Sequence, residues 1–288
     1  MLDQATRLRQ LAFENDINKR AVGENTKVFT ITSGKGGVGK SNVVLNLAIA
    51  LKKLGKKVLV LDADIGMGNI DVLIGTIPRY NIIDIVSNNK TIEEVMITGP
   101  LGVKILCGGT GLSRIDDLNS SQREIIVNQL GRLRGFDYIL IDTGAGINRT
   151  SLAFIDCSDE VFIVTTPEPT ALTDAYSLLK TMCNYDIKRS ARVIVNKVLE
   201  DKEGDSTFGR LKNSSEKFLH AYLIHLGNVC EDKKLVQAVR QQKPVLLAYP
   251  NCEASQKIEA LARKLEGIEG KRENSIQVVF KKMFKIFS

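Results

Sequence analysis

Short runs of apolar, largely β-branched residues recur along this chain, and between them apolar positions return every three or four residues. The first pattern predicts strands buried on both faces, and the second predicts helices packed over them. Strands are expected at Val28–Thr32, Lys57–Leu61, Val103–Cys107, Tyr138–Ile141, Val161–Thr165 and Val193–Val195, with a weaker one at Gly227–Cys230. Helices are expected at Ser41–Leu54, Ser121–Leu133, Thr150–Asp156, Ala171–Met182, Thr207–Tyr222 and Leu235–Gln241. Near-continuous apolar strands that alternate with helices specify a doubly wound α/β fold: a mainly parallel sheet with helices on both faces. No internal repeat breaks this pattern.

The ends read differently. Residues 1–25 precede the first strand as an arm, and residues 26–266 make up the α/β domain. The polar stretch 267–274, with two glycines among charged residues, has the composition of a linker, and 275–288 is a separate terminal element.

Composition narrows the class. With 288 residues, 43% hydrophobic and 25% charged, the chain has the make-up of a globular protein with ample core. Its apolar runs are far shorter than the ~20 residues that cross a bilayer. The first residues lack the apolar run and small-residue cleavage site of a signal peptide, so the cytosol is the expected compartment. Cys107, Cys157, Cys183, Cys230 and Cys252 are too scattered for a disulfide framework or a zinc site. The formal charge of +7 suits nucleic acid, anionic lipid or a phosphate ligand equally well.

The strongest chemical signal is Gly34-Lys35-Gly36-Gly37-Val38-Gly39-Lys40-Ser41, which follows the first strand and opens the first helix, with Asn42 behind it. Glycines there let the backbone curl until its N–H groups face phosphate oxygens, and the helix N-terminus adds partial positive charge. Lys40 would reach the β- and γ-phosphates and Ser41 would offer its hydroxyl to Mg²⁺. Lys35 is a second lysine that a plain phosphate loop does not require. Projecting from the start of the loop, it could reach a neighbouring subunit's nucleotide.

That doubled lysine makes the loop resemble the deviant Walker A motif of the MinD/ParA family of P-loop ATPases, whose dimers form face to face around two ATP molecules. The resemblance extends over roughly residues 27–265. Asp62-Ala63-Asp64-Ile65-Gly66-Met67-Gly68 is similar to the family's first switch, which implies that Asp64 positions the attacking water and Asp62 helps hold the Mg²⁺ hydration shell. The run Tyr138–Asp142 followed by Thr143-Gly144-Ala145-Gly146 looks like Walker B and a second switch, implying that Asp142 binds Mg²⁺. Asn196 matches a position that contacts adenine in the family, and Glu231 lies in what resembles the base-side loop. The family's usual proline is replaced there by Cys230. Asn196-Lys197-Val198-Leu199 lacks the aspartate that specifies guanine, so ATP is the expected nucleotide.

The two ends choose among members. In the tail, Ile276, Val279, Phe280, Met283, Phe284 and Phe287 form an apolar face, with Lys281, Lys282 and Lys285 on the other side. Such a helix can lie in an anionic membrane surface, and its position resembles the membrane-targeting tail of MinD-type members; DNA is not the expected partner. In the arm, Asp3-Gln4-Ala5-Thr6-Arg7-Leu8-Arg9 is similar to the activator motif of the flagellar-number regulators FlhG, also called YlxH or FleN. Asp3, Gln4, Ala5, Leu8 and Arg9 carry that match, which implies stimulation of an FlhF-type GTPase.

The resemblance thus implies an ATP-dependent homodimer, an Mg²⁺-dependent ATPase that associates peripherally with the inner face of the cell membrane. Flagellar C-ring proteins and a transcription regulator are further expected partners. A division-site ATPase, a partitioning ATPase and an ATP-gated interaction scaffold are the alternative readings.

Overall fold

The computed structural model describes residues 26–64, 68–108, 118–267 and 276–286. Eight strands run in chain order: β1 Lys27–Thr32, β2 Val58–Ala63, β3 Ile97–Thr98, β4 Lys104–Cys107, β5 Tyr138–Thr143, β6 Glu160–Thr165, β7 Ser190–Val198 and β8 Tyr222–Cys230. They form one sheet in the order β3-β4-β2-β5-β1-β6-β7-β8, in which only the short edge pair β3/β4 is antiparallel. The helices are α1 Lys40–Lys53, α2 Ile70–Ile74, α3 Asp84–Ser87, α4 Ile92–Val95, α5 Ser120–Leu130, α6 Arg149–Cys157, α7 Pro169–Asn184, α8 Asp201–Leu219, α9 Lys233–Arg240, α10 Val245–Ala248, α11 Glu253–Glu266 and α12 Ile276–Ile286. No described helix is long and apolar enough to cross a membrane.

Each expected strand forms, because a parallel sheet covered on both faces buries every position of runs such as Tyr138–Thr143. Three apolar clusters result. One packs α1 and α11 on one face, with Phe29 and Phe162 at its centre; two others, led by Phe154 and by Leu178 and Met182, lie on the opposite face.

The short elements β3, α2, α3, α4 and α10 were outside the expected set, and two of the longer helices depart from expectation. Helix α8 starts at Asp201 rather than Thr207, and it ends at His220, whose left-handed φ of 51° stops the helix and frees Tyr222 to open β8. Helix α11 was not expected, although Ala254, Ile258, Leu261, Ala262 and Leu265 are buried at helical spacing along it.

Helix α12 does not present its apolar face outward. Ile276, Val279, Phe280, Met283 and Phe284 are buried against α5 and α6 and join the core, while Lys281, Lys282 and Lys285 stay exposed. Phe280 meets Phe154 edge-on at 5.8 Å, the Arg123 guanidinium lies 5.7 Å over the Phe284 ring, and Arg149 Nη2 donates to Ile286 O at 2.7 Å. The residues expected in lipid are therefore, in this state, core residues. The reason is that burial rewards any dry surface, at roughly 1.5–3 kcal/mol per large side chain before ordering costs, and the α5/α6 groove supplies one within the same chain. Phe287 and the arm residues Asp3, Gln4, Ala5, Leu8 and Arg9 lie outside the described residues.

Candidate functional site

Strand β1 lies between β5 and β6, and it delivers the glycine loop to the carboxyl edge of the sheet. In such sheets, ligands bind just outside the strand carboxyl ends. Gly37 and Gly39 adopt φ of 78° and 88°, which side-chain-bearing residues rarely take, so the chain can curl there and start α1 at Lys40. A side chain at Gly39 would also collide with the Asn196 amide. Above the loop opens a cavity of about 590 Å³ lined by Gly36, Gly37, Val38, Gly39, Lys40, Ser41, Asn42 and Asp64. Ser33, Asn69, Val72, Leu73, Ala145 and Val239 complete its wall.

At their carboxyl ends, β2 and β5 pair so that Asp62 stands opposite Asp142. Asp142 is wholly buried and forms an ion pair with Lys40, itself only 7% exposed. Burial raises the Asp142 carboxyl above the usual range, and the Lys40 charge and a hydrogen bond from Ser41 pull it back. Its second oxygen, Oδ2, is buried without a hydrogen-bond partner. Asp62 is pushed up to about 7 by burial, reinforced by the neighbouring Asp142 charge. Two crowded carboxylates, one with an orphaned oxygen, next to a serine hydroxyl fit a divalent cation held partly by water and phosphate oxygens.

The sequence-predicted residues do not all converge. Asp64 reaches the cavity wall, whereas Asp62 sits behind it, accepting hydrogen bonds from the backbone N–H groups of Asp64, Asn69 and Ile70 at 3.1–3.2 Å. It thereby ties the end of β2 to the start of α2. Gly34 lies against the α7 backbone at Asp174. Lys35 turns away from the cavity, its ammonium 3.0 Å from Glu168 Oε2 and 2.8 Å from Thr170 Oγ1 at the start of α7. That contact holds the Glu168 carboxyl below the usual range. Asn196, expected at an adenine, is 5% exposed and donates its amide to Val38 O at 2.7 Å, so it engages the loop. Glu231, at the end of β8, donates its backbone N–H to Val198 O and does not line the cavity.

Sequence reasoning missed Glu168 and Thr170, although Thr-Pro-Glu-Pro at a strand end is a legible helix start. It also missed Val72, Leu73 and Val239. Nothing in their local pattern marks apolar residues of short helices as cavity walls.

Comparison with known proteins agrees with this geometry. Residues 26–196 match the family model described as an AAA domain. The chain is 38% identical over 267 residues to the flagellum site-determining protein YlxH of Helicobacter pylori, covering 91% of this chain and 90% of that protein. It is 34% identical over 241 residues to the antiactivator FleN of Pseudomonas aeruginosa, covering 83% and 86%. Among solved structures, the MinD cell division protein of Aquifex aeolicus superposes with a TM-score of 0.67 at 29% identity, covering 84% of this chain and 98% of that one. A glycine loop with two lysines on a parallel sheet, a lysine paired with the aspartate of the adjoining strand, and near full-length relatives place the chain in the MinD/ParA family of P-loop ATPases.

Proposed function

We propose that this protein is an ATP-dependent switch that regulates flagellar number and placement, cycling between a closed monomer and a membrane-associated dimer. The flagellar part rests on the similarity to the flagellum site-determining protein YlxH and the antiactivator FleN and on the arm motif Asp3–Arg9. The switch part rests on one observation above all: Lys35 and the tail are both held within the chain, Lys35 by Glu168 and Thr170 and the tail by Arg149.

ATP entering over Gly36–Ser41 gives Lys40 phosphate oxygens in place of Asp142, and the freed carboxylate, with Ser41, becomes available to Mg²⁺. When bound, Mg²⁺ neutralises charge between the phosphates. Asp64 is placed to orient a water at the cavity wall. Lys35 exchanges Glu168 and Thr170 for the nucleotide of the second subunit, which makes dimerisation depend on ATP. Arg149, which grips the end of α12, is the first helical residue after the glycine-rich loop Gly144–Gly146. Movement of that loop towards the γ-phosphate loosens the grip on the tail. Two released tails then bind one anionic surface with avidity.

The test uses full-length protein with anionic vesicles and an FlhF-type GTPase. ATP with Mg²⁺ is expected to produce a dimer that sediments with vesicles, and ADP a monomer that does not. A peptide spanning Met1–Arg20 is expected to speed GTP turnover, and its Gln4→Ala version is not. Vesicle binding with equal strength in ADP would sink the switch, and an inert arm would return the division-site reading to the front.

A further inference from the structure

Resting on the nucleotide-site reading above, we infer that Lys197 is a positioning residue that locks the phosphate loop in its anion-receiving shape. Three independent observations meet at this side chain. The pairing of β7 with β8 runs from Asn196 opposite Val229 directly to Val198 opposite Cys230, so Lys197 is skipped in the ladder as a bulge. Bulges re-aim side chains. Lys197 also takes a left-handed φ of 56°, a conformation that glycine carries without strain and lysine does not favour. Finally, the ammonium that this bulge redirects donates to Gly37 O at 2.8 Å, across the gap from β7 to the loop.

The chemistry explains why the lysine is there. A loop whose consecutive N–H groups converge on an anion must splay its carbonyl groups to the far side. Those carbonyls require donors, and a peptide that flips to find one aims its oxygen at the phosphates instead. Gly37 O and Val38 O are consecutive, and they are taken by the consecutive side chains Lys197 and Asn196, at 2.8 and 2.7 Å. The end of β7 thus acts as a two-pronged brace beneath the loop. Asn196 is the buried prong, and Lys197 is the exposed prong that adds charge. A lysine at this strained position, where the backbone alone would be served better by glycine, marks the side chain as the reason for the bulge.

The experiment is equilibrium titration of full-length protein with fluorescent ADP and with a fluorescent non-hydrolysable ATP analogue, in Mg²⁺. It compares wild type with Lys197→Gly, Lys197→Met and Lys197→Arg. Thermal unfolding without nucleotide reports folding. Lys197→Gly keeps the bulge and relieves its backbone, Lys197→Met keeps length without a donor, and Lys197→Arg keeps charge and donors. The brace predicts that Gly and Met lose affinity about tenfold, the scale of one charge-assisted hydrogen bond. The loss is equal for the two nucleotides, Arg recovers most of it, and nucleotide-free unfolding temperatures stay close to wild type. Unchanged affinity in the Gly and Met variants overturns the inference, as does a loss confined to the triphosphate, which would place Lys197 on the γ-phosphate. Failure of wild type to bind either nucleotide would overturn the nucleotide-site reading itself, a different result from a silent Lys197.

Discussion

At the carboxyl ends of β2 and β5, Asp62 and Asp142 stand side by side with one cation, Lys40, and one carboxylate oxygen has no hydrogen bond. Near the end of β8, an equally polar cluster is arranged in the opposite way. His225 Nε2 lies 2.9 Å from Asn228 Oδ1, and Asn228 Nδ2 donates to Asp201 O at 3.2 Å and Asp205 Oδ1 at 3.1 Å. Lys257 pairs with Asp201, Lys264 donates to Leu226 O at 2.8 Å, and Phe208 stacks on the imidazole at 4.5 Å. Lys40 of the first cluster lines the cavity of about 590 Å³, and the second cluster lines one of about 330 Å³. The difference lies in the accounting of donors and acceptors. A site short of cations is waiting for a ligand, whereas one whose groups satisfy each other holds α8, β8 and α11 together.

The comparison is tested most severely at Lys40. Lys40→Ala removes the loop's phosphate contact and strands Asp142 as a buried charge. Two losses are expected: nucleotide affinity falls on the order of a hundredfold, the upper range for a charge-assisted hydrogen bond. Nucleotide-free stability falls by ~3–5 kcal/mol, because breaking a buried pair leaves an uncompensated ion. Denaturant unfolding and nucleotide titration read these separately. A variant as stable as wild type would mean that Asp142 is not held charged by Lys40, and the contrast between the two flanks would lose its basis.

A change of middling size is expected on the other flank. Asn228→Ala deprives the Asp201 carbonyl, Asp205 and His225 of a shared partner. The cost is ~0.5–1.5 kcal/mol, the net worth of a hydrogen bond, because Asp201 and Asp205 are exposed and water takes the place of the lost amide. Nucleotide affinity is expected to stay within about twofold, since the two clusters share no partners. A large loss of affinity with intact stability would make the β8 cluster part of the nucleotide site.

The same contrast governs how much of the molecule was legible in the sequence. The loop was legible because its requirements are chemically narrow: glycine where φ is positive, and lysine at the start of a helix that follows a strand. Asp62 and Asp142 were legible as strand-end carboxylates, but not their division of labour, since backbone hydrogen bonds to Asp62 depend on where the chain turns at Asn69 and Ile70. The tail was legible as an amphipathic helix and not in its partner, because an apolar face carries no label saying whether lipid or the α5/α6 groove will cover it. The β8 cluster was invisible: Asp201 and Asp205, His225, and Lys257 come from three separate elements, and each reads as an ordinary surface residue until β8 lines up beside α8 and α11.

The smallest effect is the finest test, and it concerns His225. Burial lowers its pKa from the ordinary 6.5, outweighing the attraction of Asp205, whose Oδ1 lies 3.6 Å from Nδ1. The folded protein therefore holds the ring neutral in a range where the unfolded chain is already protonated. Between the ordinary value and the lower folded value, the unfolded state binds more protons. Stability from this group is thus full above the ordinary value and is lost as pH falls through that window. Melting temperatures measured from about pH 7.5 down to about pH 5 are expected to decline less steeply for His225→Gln than for wild type. Proton NMR is expected to find His225 titrating below the ordinary 6.5. If His225 titrates above the ordinary value instead, Asp205 has prevailed over burial, and the β8 cluster holds an ion pair of its own, half open to water where Lys40 and Asp142 are buried.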